Sequence, residues 1–255
     1  MPIIQYLRRK WLLHKRFPES WEDVLENRVP YYGQLPDDLK QTLRNHLVIF
    51  MDEKRFEGCS GLEMTVERKV IISAYAVVLL LGEPAGYYPD LQSILVYPDG
   101  YVAPVHEEHE GIVSEGVEAR KGESWDLGSI VLSWSDIVGN LENPSQRQSL
   151  IFHEFAHQMD HQYGLTAGVG DEGEVYRDDE WTRILAGAYR KLRRKASRGE
   201  RCVLDHYGAT DPAELFSVAT EAFFLDPHRL YSEFPELFEV MKSFYNLDPS
   251  SFIDG

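Results

Sequence analysis

The 255-residue sequence predicts an α+β fold that is mainly helical and carries a small sheet. Two observations support this class. Segments with the three- and four-residue apolar spacing of helices outnumber strand-like runs, and those runs cluster before residue 135. Hydrophobic residues make up 43% of the chain and aromatic residues 12%, which excludes a disordered composition and allows a substantial core.

Local patterns define the elements of the first half of the chain. Helical apolar spacing follows Pro36, and Thr65 opens an almost wholly apolar helix that stops at Gly82. The turn at residues 98–100, Pro-Asp-Gly, predicts a β-hairpin. The predicted elements are helices over residues 5–16, 36–50 and 65–81, strands at Ser93–Tyr97 and Ile130–Trp134, a hairpin return at Tyr101 and Val102, and a polar loop over residues 106–124.

The second half is predicted to be mostly helical. Asn143-Pro144-Ser145 marks a helix start, and Gly164 ends that helix just after Gln162. A glycine-rich acidic loop follows over residues 164–174. Further helices are predicted over residues 178–197, 211–225 and 235–245.

Composition and charge exclude several classes of protein. The chain has 42 acidic and 26 basic residues, a net charge of −16, and this field repels nucleic acids. Its two cysteines do not form a disulfide framework, which is typical of a reducing compartment. The longest apolar run, residues 70–81, is about 12 residues, short of the roughly 20 that cross a bilayer. We therefore expect a cytoplasmic protein with no nucleic-acid partner and no membrane partner.

The sequence His153-Glu154-Phe155-Ala156-His157 is an H-E-x-x-H motif inside a predicted helix. Histidines four residues apart lie on one helical face, so both imidazoles reach a single metal ion. The intervening glutamate is offset from the metal but reaches a metal-bound water. The alternative is a pair of core histidines with ordinary hydrogen bonds. His106-Glu-Glu-His109 also resembles a metal cluster, but it lies in an acidic segment and is predicted to be solvated surface.

A zinc site needs a third protein ligand, and the residue pattern leaves several candidates open. Asp160 and His161 follow on the same helical stripe, although a third ligand from one straight helix converges poorly on a tetrahedral ion. For Asp160 a role in orienting a ligand suits better. Glu214 and Glu221 lie on one face of a later helix, among apolar residues. Glu214 also fits the third position of a capping box that begins at Asp211.

Further landmarks lie along the chain: Gly61-Leu-Glu63, the apolar helix to Leu81, Ser93-Ile-Leu-Val-Tyr-Pro98, Trp125-Asp126 with Gly128, the H-E-x-x-H motif with Asp160, Tyr207-x3-Asp211, Ala213-Glu214-x-Phe216 and Glu221-x-Phe223-Phe224. With these landmarks the chain resembles, over most of its length, the Mlc titration factor A family of zinc peptidases. The arrangement Tyr207-x6-Glu214 downstream of H-E-x-x-H also resembles, much less closely, the catalytic domain of anthrax lethal factor. The resemblance implies a zincin-like, gluzincin-type fold. It makes Glu214 the third zinc ligand, Tyr207 an active-site hydroxyl and Glu221 a supporting carboxylate. His161 departs from the expected pattern.

Motif and resemblance together predict a zinc-dependent metallopeptidase, with aminopeptidase-like cleavage implied by the family. His153, His157 and Glu214 would hold Zn²⁺, Glu154 would act as the general base, and Tyr207 would stabilise the oxyanion. The strand at residues 130–134 would align a peptide or protein substrate. The acidic loop would either rim the cleft as a lid or be an exposed surface loop that matches the overall charge. The expected domains are a basic helical extension over residues 1–30 and a catalytic domain over residues 31–255. The alternative is a binding protein that sequesters an Mlc-type transcriptional repressor, with peptidase activity minor.

Overall fold

A computed structural model describes residues 3–82, 86–100, 108–109, 112–113 and 128–253. Helices dominate these ranges, and the strands are short. The elements are α1 (Ile3–Leu13), α2 (Glu19–Arg28), α3 (Pro30–Gln34), α4 (Asp37–Glu53), β1 (Arg55–Gly58), α5 (Val66–Val78), β2 (Ser93–Tyr97), β3 (Glu108–His109), β4 (Ile112–Val113), β5 (Ser129–Ser133), α6 (Trp134–Glu142), α7 (Leu150–Tyr163), α8 (Glu180–Ser197), α9 (Pro212–Leu225), α10 (Pro227–Glu233) and α11 (Pro235–Tyr245), with 3₁₀ turns at Pro144–Gln146, His206–Ala209 and Pro249–Ser251. The mainly helical α+β class is confirmed.

The main sheet is parallel, with β2 between β1 and β5. Ile94 of β2 pairs with Phe56 of β1 and with Ile130 of β5, and α5 connects the first two strands. The strand β5 forms one edge among the described strands. The hairpin predicted after β2 would return through Tyr101 and Val102, which lie outside the described residues. A two-stranded antiparallel ladder, β3 with β4, falls within the predicted polar loop.

The helix α7 lies in the middle of the core, held by aromatic rings on two sides. Phe152 is fully buried, with its ring centre 5.2 Å from that of Tyr75 in α5 and 5.4 Å from that of Phe224 in α9. Phe155 packs against Phe50 of α4, at 5.8 Å between ring centres. Edge-to-face and tilted ring contacts of this kind fix a helix in rotation as well as in position. The polar face of α7 is therefore held in one orientation.

Two predicted boundaries near α7 are wrong. The predicted helix start at residue 143 is only a short 3₁₀ turn, which ends at Arg147 in the left-handed region with φ 53°. Arg147 forms an ion pair with buried Asp226, a contact across the fold that local sequence does not show. The helix α7 begins at Leu150, about two turns later than predicted, where the Ser149 hydroxyl accepts a hydrogen bond from the amide of Phe152. Trp134, predicted to end a strand, begins α6 instead.

The other predicted elements match the structure closely, and several short ones were missed. The strand Ser93–Tyr97 and the helix Pro235–Tyr245 have the predicted bounds, and Thr65 caps α5 by accepting from the amide of Arg68. The elements α2, α3, β1, α6 and α10 had no prediction. Leu25 and Val29 lie in the main core cluster, and the domain boundary predicted at residue 30 stays a prediction. Among the described helices, none combines the length and apolar character needed to span a membrane.

Candidate metal centre

The helix α7 presents two histidines on one face, both partly exposed. His153 and His157 are one turn apart, with ring centres separated by 4.9 Å. At the far end Gly164 adopts the left-handed conformation, φ 61°, and its amide donates to the carbonyl of Asp160. Glycine adopts this conformation without the strain a side chain would add. Both ends of the motif helix are thus defined by local sequence.

The helix α9 brings a carboxylate to these histidines. Its N-cap is Asp211, whose side chain accepts hydrogen bonds from the amides of Ala213 and Glu214. The Glu214 carboxylate lies at the histidines instead, with Oε2 2.9 Å from His153 Nε2 and Oε1 3.5 Å from His157 Nε2. Of the two roles that the sequence left open for Glu214, the ligand position is the one its side chain occupies.

His153, His157 and Glu214 form the metal-capable cluster of the described residues. Each offers one ligand atom, and these atoms all lie within 4.8 Å of one another. Glu214 Oε2 is buried, and His153 Nε2 lies 2.9 Å from it. A carboxylate oxygen buried in this way is costly unless a cation, either a protonated imidazole or a metal ion, balances it. Two imidazoles and one carboxylate are also a donor set of catalytic zinc sites, so the residues fit a metal ion.

Glu221, one of the open candidates, supports the cluster from behind. Its Oε1 lies 3.0 Å from His153 Nδ1, and its Oε2 accepts a hydrogen bond of 2.7 Å from the amide of Ser149. A carboxylate on Nδ1 fixes the ring orientation and leaves Nε2 free to face an ion. The supporting role that the family resemblance implied for Glu221 agrees with this geometry.

Asp160 and His161 lie away from the ligand cluster. The Asp160 carboxylate accepts hydrogen bonds from the amide and the hydroxyl of Thr166, at 2.8 and 2.6 Å. It therefore holds the chain that leaves α7, and the hypothesis that Asp160 orients a ligand histidine or a neighbouring group stays a prediction. His161 is exposed. The side chains of the His106–His109 segment lie outside the described residues.

The electrostatics of the cluster are dominated by carboxylates. Burial lowers the pKa of His153, but the neighbouring carboxylates of Glu214 and Glu221 outweigh it and raise that pKa to about 10. Burial tends to raise the pKa of Glu214, but His153 and His157 lower it to about 2. Glu154 is only 3% exposed, and burial raises its pKa to about 8 against the opposing effect of His153. Three acidic side chains around two imidazoles make a site that attracts a cation.

Tyr207 lies at the mouth of the cluster. It belongs to the 3₁₀ turn His206–Ala209, where the Asp205 carboxylate accepts from its amide at 2.8 Å. Its ring centre is 6.1 Å from that of His153, and the side chain is 55% exposed. Burial, with Glu214 adding to it, raises its pKa to about 12. The hydroxyl thus keeps its proton at neutral pH, and its hydrogen-bond partner in this structure is the Glu214 carboxylate.

The acidic loop after α7 packs against basic residues of α8. The Glu172 carboxylate accepts two hydrogen bonds from Arg193, at 2.6 and 3.1 Å. Arg190 donates to the carbonyl of Gly173, and the Glu174 carboxylate accepts from the amide of Glu172. At least one loop carboxylate is thus already paired within the protein. The lid role of this loop stays a prediction.

Comparison with known proteins identifies relatives along nearly the whole chain. The family model for the glucose-regulated metallopeptidase M90 family matches residues 3–246. An uncharacterised protein of Synechocystis sp. is 36% identical over 244 residues, which cover 95% of this chain and 89% of the relative. Mlc titration factor A of Pectobacterium atrosepticum is 31% identical, covering 91% and 87%. The protein of the same name from Serratia proteamaculans is 29% identical, covering 94% and 92%.

Proposed function

The chain belongs to the glucose-regulated metallopeptidase M90 family, and we propose that it is a zinc-dependent peptidase with His153, His157 and Glu214 as metal ligands. The observation that carries the proposal is the convergence of these three side chains beside a buried glutamate. A purely structural zinc site has four protein ligands and no use for a general base. The described cluster has three ligands and an acid next to them.

Glu154 is the general base of the proposed reaction. When bound, zinc supplies Lewis acidity that lowers the pKa of a water molecule toward ~7 and polarises a carbonyl oxygen. Glu154 accepts a proton from the attacking water and later returns it to the leaving amine, so the carboxyl group ends as it began. Burial, which raises the Glu154 pKa, makes that return feasible near neutral pH, and a nearby cation lowers the pKa enough for the first transfer.

Tyr207 is placed to stabilise the developing negative charge. As the water adds to the peptide carbonyl, the carbonyl oxygen becomes an oxyanion, and a protonated phenol donates a hydrogen bond to it. The half-exposed position of Tyr207 leaves its hydroxyl open to a substrate. The edge strand β5 offers backbone groups along which an extended peptide aligns. The family resemblance also implies that the enzyme removes residues from free amino termini, and this specificity is part of the proposal.

Metal content measured together with hydrolysis tests the proposal. We expect about one zinc per chain and cleavage of aminoacyl-anilides that a chelator abolishes and added zinc restores. Glu214→Gln removes a charged ligand, so bound zinc and activity should fall together. N-acetylated substrates should be cleaved poorly if the enzyme trims free amino termini. Stoichiometric zinc with no hydrolysis across a broad peptide panel would reject the peptidase proposal.

A second function is suggested by the relatives named Mlc titration factor A. That name favours binding to a transcriptional regulator, with or without cleavage. The test is binding of an Mlc-type repressor to the wild-type chain and to Glu154→Gln. Tight binding by both, with no hydrolysis of any substrate, would favour sequestration as the main activity.

A further inference from the structure

The first helix, α1, packs on the body with a charged residue inward. Arg9 is only 8% exposed, and its guanidinium donates to both carboxylate oxygens of Glu53 in α4, at 2.7 and 2.8 Å. The same guanidinium lies 4.5 Å from the ring centre of Tyr87, and Leu12 is buried beside it. A bidentate buried pair is costly to separate, because each charge would be left without its partner. The rotation of α1 about its own axis is therefore fixed.

The opposite face of α1 is apolar and points to solvent. Ile3, Ile4, Leu7 and Trp11 are between 57% and 81% exposed. At the helical repeat these four side chains fall within an arc of roughly 100°. We call them the outer stripe. An ordinary surface helix turns such a stripe toward the core, so the orientation of α1 is the reverse of the usual one.

Basic residues border the outer stripe. Residues 3–16 contain five of the chain's 26 basic residues and none of its 42 acidic ones. On the helical wheel Arg8 and Lys10 flank the stripe on its two sides. The ammonium groups of Lys10 and Lys15 lie over the rings of Tyr6 and Trp11, at 4.8 and 3.5 Å from the ring centres. Arg8, Arg9 and Arg16 are paired with Asp52, Glu53 and Glu19, so the basic groups left for a partner beside the outer stripe are the ammonium groups of Lys10 and Lys15.

We propose that α1 binds the surface of an anionic lipid bilayer, with the outer stripe in the headgroup region and Lys10 and Lys15 on lipid phosphates. An apolar stripe with aromatic and basic residues along its borders is typical of helices that lie in the membrane interface. Charge complementarity selects this occupant. Two copies of the chain meeting through α1 would bring Lys10 and Lys15 of both copies together, whereas an anionic surface neutralises them.

The acidic remainder of the chain sets the orientation at the bilayer. It is repelled by anionic headgroups, but that repulsion is screened beyond about 8 Å at physiological salt. Only α1 is attracted at contact distance, so the protein would bind with this helix facing the bilayer. The expectation of no membrane partner rested on the lack of a membrane-spanning run, which does not bear on a helix lying along the surface.

Flotation with vesicles tests the proposal on the full-length, zinc-loaded protein. We expect binding to phosphatidylcholine vesicles that contain about 30 mol% phosphatidylserine, little binding to pure phosphatidylcholine, and a decline as salt is raised. The double variant Leu7→Gln/Trp11→Gln should bind about tenfold more weakly or worse, because it removes inserted apolar surface. Lys10→Gln/Lys15→Gln should weaken binding to anionic vesicles.

Matched controls keep the test specific. Tyr231→Gln removes an exposed aromatic side chain from α10. Arg183→Gln/Arg198→Gln removes two exposed charges, one within α8 and one directly after its last residue. Both should bind like wild type. All variants should keep the wild-type melting temperature and zinc content, since the altered side chains are exposed. Equal binding by wild type and Leu7→Gln/Trp11→Gln would overturn the proposal. So would a failure to float with anionic vesicles at low salt, or a dimer in solution that depends on Leu7 and Trp11.

Discussion

Two histidines in this protein lie in largely buried positions, and their pKa values move in opposite directions. His46 of α4 is packed against Tyr87, whose hydroxyl lies 2.7 Å from its Nδ1, and burial lowers its pKa to about 4. His153 of α7 is subject to the same effect of burial, but Glu214 and Glu221 outweigh it and raise the pKa to about 10. The difference comes from the neighbours, not from the depth of burial.

The surroundings of the two histidines also differ in charge balance. Near His46, whose neighbour Tyr87 also contacts Arg9, that buried cation is paired with Glu53 through two hydrogen bonds. Around His153 the side chains of Glu214, Glu221 and Glu154 all act to raise its pKa. The Arg9–Glu53 pair is balanced in charge and stabilises the contact between two helices. Around His153 the acidic groups outnumber their cationic partners, so a bound cation would balance the charge, and this imbalance is typical of a functional cluster rather than a structural one.

The largest expected effect is on kcat, and it distinguishes the surroundings of His153 from those of His46. Glu154→Gln should lower kcat by about 10²–10⁴-fold, because an amide does not accept the proton of the attacking water. Bound zinc should stay near one per chain, since the ligands are untouched. His46→Gln is the matched control and should keep wild-type kcat. Full activity in Glu154→Gln would remove the general base from the proposed site.

Tyr207→Phe should have the next largest effect. Loss of a donor to the oxyanion lowers kcat by about 10²-fold or more and leaves KM little changed. The side chain is half exposed, so melting temperature and zinc content should match wild type. The kcat and KM of one anilide substrate, measured for both proteins, provide the check. A rise in KM with unchanged kcat would mean that Tyr207 only binds substrate.

The sequence predicts the motif and the end of the ligand helix because these determinants are local. The spacing of His153 and His157 and the stop at Gly164 lie within one segment, whereas the start was predicted at Asn143 and the cap is Ser149. The family resemblance, not the spacing, selected Glu214 from the open candidates. The features that the sequence does not predict depend on contacts between residues that are distant along the chain. The left-handed break at Arg147 faces Asp226, which lies far along the chain.

The sheet and the environment of His46 illustrate the same limit. The strand β2 ends in a turn pattern that predicts a hairpin, yet both strands that pair with it in the described structure are parallel and distant in sequence. His46 fits the apolar period of α4, whereas His153 belongs to the H-E-x-x-H motif, but neither local pattern predicts a pKa. The opposite directions arise from burial at His46 and from the carboxylates of Glu214 and Glu221 at His153, with Glu221 68 residues away along the chain.

Glu221→Gln should weaken the metal centre without destroying it. Loss of the carboxylate on His153 Nδ1 lowers metal affinity by about 10–100-fold, which is typical of carboxylates that orient a ligand histidine. Glu53→Gln is the matched control, because it removes a carboxylate that pairs with Arg9 far from the ligands. Competition with a zinc chelator measures both affinities. Equal affinities in wild type and Glu221→Gln would assign Glu221 only to holding the start of α7.

The smallest expected effect is on stability, and it isolates His46. Its folded-state pKa of about 4 lies below the ordinary value of 6.5, so the folded state binds fewer protons than the unfolded state between these values. Stability from this group is therefore present above pH 6.5 and is lost as the pH falls through 4. The loss is about 3 kcal/mol at most. Urea unfolding of metal-free wild type and His46→Gln, between pH 7 and about 4.5, measures it.

Wild type and His46→Gln must be compared directly, because groups other than His46 also titrate in this pH range. Glu154, with its raised pKa, makes the metal-free protein more stable as the pH falls from 8 toward 4.5, and so it opposes the effect of His46. It does so equally in wild type and in His46→Gln, so the difference in unfolding free energy between them reports His46 alone. That difference should shrink steadily below pH 6.5, because only wild type has a buried imidazole to protonate. A constant difference would mean that His46 takes up its proton at the same pH folded and unfolded, and the contrast with His153 would then rest on the carboxylates alone.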